Sequence, residues 1–261
     1  ADKKEHIYGN KDVDGPDASH GTHVSGIIAA KTGNGIGMDG IAGNGYVKIM
    51  SVRTVPNGDE RDKDVANAIR YAADNGAKIL NMSFGKPYSP DIEVVWDAFK
   101  YAEKKGLLLI KAAGNDNLDV DTNDNFPTIF NSKGEKIVNN VITVGANTMD
   151  KNNLKASFSN YGKKSVDVFA PGAEIYSTVP NKDGEYKNLD GTSMASPAVA
   201  GVAALVWAHY PKLSALDIKQ ILMDSVNKNA ALADLSVTGG VVDAYKAVQL
   251  AEKMYIAKKL K

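Results

Sequence analysis

Asn188-Leu-Asp-Gly-Thr-Ser-Met-Ala-Ser-Pro-Ala-Val-Ala-Gly-Val-Ala-Ala-Leu205 places a hydroxyl, Ser193, just after Gly191-Thr192 and directly ahead of a run of small apolar side chains. The run is short for a membrane span and starts at Ser-Pro, so it reads as a buried helix entered through a tight turn. Such a turn exposes Ser193 while aiming backbone N–H groups and the positive end of the helix dipole at any anion formed beside it. A serine at that place can also be no more than a cap on a core helix.

Outward from this stretch the chain alternates. Val24, Ile27 and Ile28 share one face of a helix that begins at His20. Tyr46–Val55, Ala77–Ser83, Leu107–Ala113, Val141–Val144 and Val166–Phe169 read as apolar strands. Between them, Asp62–Asn75 and Asp91–Lys105 carry helical apolar spacing and are closed by Gly76 and Gly106. Ile175–Val179 and Glu185–Leu189 form an expected hairpin ahead of Ser193. Ser214-Ala-Leu-Asp217 opens a further helix, and a last one runs through Ala251. Strands apolar throughout, separated by amphipathic helices, predict an α/β fold with a mainly parallel sheet covered on both faces. No linker or repeat divides residues 1–261, so a single domain is expected.

Composition narrows the chemistry. Lysine plus arginine and aspartate plus glutamate both number 31, so no global field favours nucleic acid or an anionic membrane. There is no cysteine, which removes disulfides, thiolate metal sites and thiol nucleophiles. Gly35–Gly40 contains a formal G-x-G-x-x-G, but it follows a helix and precedes a strand, the reverse of a dinucleotide site. His20 and His23 lack a third ligand of recognisable spacing, His6 and His209 included, so no metal centre is read there. Asp119, Asp121 and Asn123 begin like a calcium loop, yet Asp124 and Phe130 stand where its glycine and closing glutamate belong.

Several polar residues fall at strand ends or helix starts, where α/β sheets gather active groups: His20, Ser83, Asn115 and Ser193. Nucleophilic acyl transfer needs a hydroxyl, an imidazole to take its proton, and donors where the oxyanion forms. Ser193, His20 and Asn115 supply one of each.

These residues sit in motifs that resemble those of the subtilases, the subtilisin-like serine proteases: His20-Gly-Thr-His-Val-Ser-Gly26, Asn81-Met-Ser-Phe-Gly85, Ala112-Ala-Gly-Asn115, Ala156-Ser-Phe-Ser-Asn-Tyr-Gly162, Asp167-Val-Phe-Ala-Pro-Gly172 and Gly191-Thr-Ser-Met-Ala-Ser-Pro197. The resemblance implies a three-layer α/β/α fold and peptide-bond hydrolysis. His20 is then the general base, Ser193 the nucleophile, and the Asn115 side chain with the Ser193 N–H the oxyanion hole. Ser83, Phe84 and Gly85 become the edge on which an extended polypeptide substrate adds as a strand. Ala112, Ala113 and Gly114 become one wall of the pocket for the residue before the scissile bond, with room for a large apolar side chain; Lys86 adjoins that wall. No cofactor is required; calcium enters only as a structural ion, with Asn34 resembling one ligand. An extracytoplasmic or secreted location follows from the resemblance alone.

Asp190 and Ala198 replace an asparagine and a histidine of the family pattern, outside the proton-transfer set. The family's aspartate, carried by an apolar-apolar-Asp-Ser/Thr-Gly strand ahead of the histidine, has no counterpart; Asp2, Asp12, Asp14 and Asp17 lie in polar loop. The expectation is that an upstream N-terminal segment brings that strand and carboxylate, joined covalently or bound as a second piece. Two other readings stay open: a catalytically impaired relative that binds extended peptides, and an esterase using the same serine, although G-x-S-x-G is absent around Ser193.

Overall fold

A computed structural model describes residues 11–258 apart from 12, 16 and 57, so His6, Asp2 and Asp12 lie outside the described residues. Helices α1 (Ser19–Ala29), α2 (Asp62–Asp74), α3 (Ile92–Lys104), α4 (Thr192–His209), α5 (Ala215–Asp224) and α6 (Ala244–Ala257) alternate with strands β1 (Ile79–Met82), β2 (Leu108–Ala112), β3 (Val141–Asn147), β4 (Val168–Pro171), β5 (Ile175–Thr178), β6 (Tyr186–Leu189), β7 (Asn227–Lys228) and β8 (Gly240–Val241). The main sheet runs β1-β2-β3-β4-β8-β7, parallel from β1 to β8 and antiparallel only at β7. β5 and β6 pair as the expected antiparallel hairpin.

Alternation along the strands builds two cores. Leu108 and Ile110 of β2 face α1, α4, α5 and α6, while Leu109 faces the Val65–Ile69 side of α2 and the Val95–Phe99 side of α3. Every residue of β2 and β3 is buried, the polar Lys111, Thr143 and Asn147 included, so neither strand has a solvent face. The result is three layers, α/β/α, with α4 lying across the sheet and buried on almost all sides. Ala and Gly make that burial feasible: a Cβ on Gly201 would stand 2.8 Å from the Ile41 side chain.

The expected strand over 46–55 does not form. These residues join no ladder among the described residues, and Tyr46 lies in a turn and is 81% exposed. A strand is made by its neighbour's hydrogen bonds rather than by its own apolar content. β1 is correspondingly the edge of the sheet, its outer side unpaired by any described strand.

Candidate active site

Ser193 is the second residue of α4, and the residue before the helix is Gly191, with no side-chain cap. The capping explanation of Ser193 therefore does not hold. Gly191 has φ 150°, within the region that favours glycine.

Pro197 organises the first turn. Having no N–H, it cannot bond the carbonyl four residues back, which is that of Ser193. Ser83 Oγ fills the vacancy, donating to the Ser193 carbonyl at 2.8 Å, and Ser193 Oγ donates to the Ser83 carbonyl at 3.3 Å. The link continues inward: Asn81 Nδ2 donates to Ser83 Oγ at 2.9 Å, and Ser196 Oγ donates to Asn81 Oδ1 at 2.7 Å. The end of β1 and the start of α4 are thus joined through four polar side chains.

Asn115 is oriented by Thr192, a residue that motif reading passed over. Its Oδ1 accepts from the Thr192 N–H and the Thr192 hydroxyl, both at 2.9 Å. Both bonds fix the amide's oxygen, so its Nδ2 is turned the other way and has no acceptor among the described residues. The Ser193 N–H likewise has no acceptor among the described residues. The two donors converge: the point where a Cβ on Gly191 would stand is 3.5 Å from Asn115 Nδ2 and 3.6 Å from the Ser193 nitrogen. Glycine at 191 keeps that space open.

His20 sits in the first turn of α1, which packs on α4 through Ile27 with Val24 and Ile28. No hydrogen bond joins His20 to Ser193 in this structure. Catalytic bonds of this kind often close only once substrate is bound. Desolvation and then His23 lower the His20 pKa while Asp17 raises it; the side chain is exposed, so water screens part of these effects. Asp17 Oδ1 is engaged with the Ser19 N–H at 2.8 Å.

His23 has a different task. Fully buried, it points Nε2 at the Ile175 and Lys187 carbonyls, each at 3.0 Å, tying α1 to the β5–β6 hairpin. Nδ1 is buried without a partner, and desolvation lowers the pKa below 6.5 despite the two carbonyls. The unfolded chain takes up this proton first, so the stability is complete above pH 6.5 and is lost as pH falls towards the folded value. Thermal midpoints should therefore drop as pH falls below 6.5. In His23→Gln the drop should flatten; an unchanged profile would assign the dependence to other groups.

Lys86 does not offer a charge to the substrate pocket. Its Nζ is buried against Asp62 at 2.7 Å and the Glu60 carbonyl at 2.7 Å. The loop oxygens considered for calcium have partners within the chain: Asn34 Oδ1 accepts from the nearby Ile36 N–H, and Asp121 from the distant Lys164 and Ser165 N–H groups. No group of three or more His, Asp or Glu among the described residues could hold a metal ion.

The Subtilase family model matches residues 1–241. The chain belongs to the subtilase family. It is 40% identical to thermitase of Thermoactinomyces vulgaris over 236 residues, covering 88% of this chain and 75% of that protein. It is 39% identical to a thermophilic serine proteinase of Bacillus sp. strain AK1 over 88% of this chain, and spans 52% of that relative's length. A cell wall-associated protease of Bacillus subtilis strain 168 is also 39% identical, with 23% of its length covered. A solved protease from Pseudoalteromonas arctica superposes with TM-score 0.74 at 31% identity, over 89% of this chain and 70% of that one. The subtilisin-like fold expected from the motifs is therefore shown, three-layered and mainly parallel.

Proposed function

We propose that this chain is a single serine endopeptidase domain that cuts polypeptides through an acyl-enzyme. Ser193 Oγ attacks the scissile carbonyl as His20 takes its proton, and the oxyanion forms against the Ser193 N–H and Asn115 Nδ2. His20 then protonates the leaving amine, and water repeats the sequence to free the enzyme. The observation carrying this reading is the pair of unclaimed donors converging at Gly191 beside a hydroxyl on a helix N-terminus. The substrate lies as an added strand along Ser83, Phe84 and Gly85 and passes between Gly85 and Ala112, Ala113 and Gly114.

His20 lacks a carboxylate partner among the described residues. The outer edge of β1, unpaired by any described strand, suits an extended strand from outside the described residues. Supplying a subtilase-type apolar-apolar-Asp-Ser/Thr-Gly segment, in cis or as a second piece, should raise kcat by about 10⁴-fold. The name of the cell wall-associated relative supports action outside the cytoplasm, and no helix among the described residues is long and apolar enough to cross a membrane.

The test is hydrolysis of chromogenic peptides and of the matching esters, with and without the added segment. Peptide cleavage with a trapped acyl group on Ser193 is expected. Ester cleavage alone would favour the esterase reading, and tight peptide binding with no turnover under either condition would favour the impaired relative.

A further inference from the structure

His20 and Ser193 have no hydrogen bond to hold them together, so their separation is set by the elements that carry them. α1 meets α4 through Ile27 with Val24 and Ile28. An apolar contact of this kind is non-directional, and by itself it leaves a helix free to turn about its axis. A second contact is directional. Ser177 Oγ of β5, fully buried, donates to the His23 carbonyl at 2.8 Å, and Thr178 Oγ1 donates to the Thr22 carbonyl at 3.0 Å. With the His23 ring on the Ile175 and Lys187 carbonyls, these bonds grip α1 within one turn of His20.

Helix and strand are held close. A Cβ on Gly26 would stand 2.4 Å from Ser177 Oγ and 2.3 Å from Thr178 Oγ1, so only glycine allows this approach. The far end of the hairpin is fixed as well: the Gly191 N–H donates to the Gly172 carbonyl at 2.8 Å, and Ser193 follows Gly191 by two residues. The hairpin thus connects the helix that carries the imidazole to the turn that carries the hydroxyl. Burying a hydroxyl is costly unless it is bonded, and an apolar side chain would fill a buried strand position more favourably. The two hydroxyls contribute direction, which apolar side chains there would not.

We infer, resting on the endopeptidase reading above, that Ser177 and Thr178 are positioning residues for the proton transfer: by fixing the angle of α1 about its axis they set the reach of the His20 imidazole to Ser193 Oγ.

The test measures kcat and KM on a chromogenic peptide, and the rate at which an organophosphonate labels Ser193, for Ser177→Ala, Thr178→Val and Thr178→Ser, each with His20 present and again in His20→Ala. With His20 present, Ser177→Ala and Thr178→Val should lower kcat and the labelling rate about ten- to a hundredfold, the scale of a misplacement of up to ~1 Å, with KM nearly unchanged. Thr178→Ser, which keeps the hydroxyl, should retain the parent rates. In His20→Ala the same substitutions should change either rate by no more than about twofold, because no imidazole is left to place. A merely structural role would lower the rates by the same factor in both backgrounds. That result overturns the inference, as does a loss carried by KM, or one as large in Thr178→Ser as in Thr178→Val. Labelling that depends on His20 and on both hydroxyls, in a protein that cleaves no peptide, would sink the endopeptidase reading and leave the positioning role standing. Rates that His20→Ala does not alter would overturn both.

Discussion

Replacing Ser193 by alanine lowers the peptidase rate to the level left by substrate binding and the oxyanion donors alone, about 10³–10⁴ over the uncatalysed reaction. His20→Ala falls to the same level, and the double variant falls no further. In the proposed mechanism hydroxyl and imidazole perform one proton transfer between them, so once either is gone the other has nothing left to do. The loss is largest, about 10⁶-fold in kcat, where a carboxylate also orients His20. It is read from kcat/KM on one chromogenic peptide across the three variants. A double variant markedly slower than either single one would mean that the two groups act independently. His20 must be neutral to accept the proton, and its pKa is lowered below 6.5, chiefly by desolvation. The acid limb of kcat/KM should therefore lie below pH 6.5 and vanish in His20→Ala.

Asn115→Ala should lower kcat by about 10²–10³ with KM nearly unchanged. Asn115 Nδ2 is held ready by two bonds to its own oxygen, so it needs no rearrangement when charge develops. Thr192→Val removes one of those bonds, together with the bond its hydroxyl accepts from the Gly114 N–H, and keeps the other, which comes from the backbone. It should cost less in kcat than Asn115→Ala. A loss expressed mainly in KM for Asn115→Ala would show that Asn115 holds the substrate rather than the transition state.

What could be read in the sequence divides by the distance over which each feature is determined. The helix after Ser193, the strands β2 and β3, the capping box of Ser214 and Asp217, and the β5–β6 hairpin are local patterns, and the structure has them within a few residues. Ser193, His20 and Asn115 stand out because each is a polar residue at a helix start or just past a strand end, where α/β sheets gather active groups. Residues 46–55 misled because apolar content signals burial, while a strand also requires a partner, and none of the described residues supplies one.

The remaining features depend on contacts between distant segments. Nothing near Lys86 says that it turns to Asp62 and not to the substrate pocket. Ser177 and Thr178 meet the α1 carbonyls only because a hairpin 154 and 156 residues further along the chain folds back on that helix. The Ser83–Ser193 link was partly deducible, since Pro197 must leave the Ser193 carbonyl free; which donor fills that place was not. Thr192 belongs to the same class, a motif residue whose purpose becomes visible only with Asn115 beside it.

The central claim is that Ser193 is the nucleophile, and its most direct test is covalent labelling with an organophosphonate or sulfonyl fluoride followed by peptide mapping. The account predicts one adduct, on Ser193, absent from Ser193→Ala. An adduct on Ser83 or Ser196, or labelling that persists in Ser193→Ala, would contradict it.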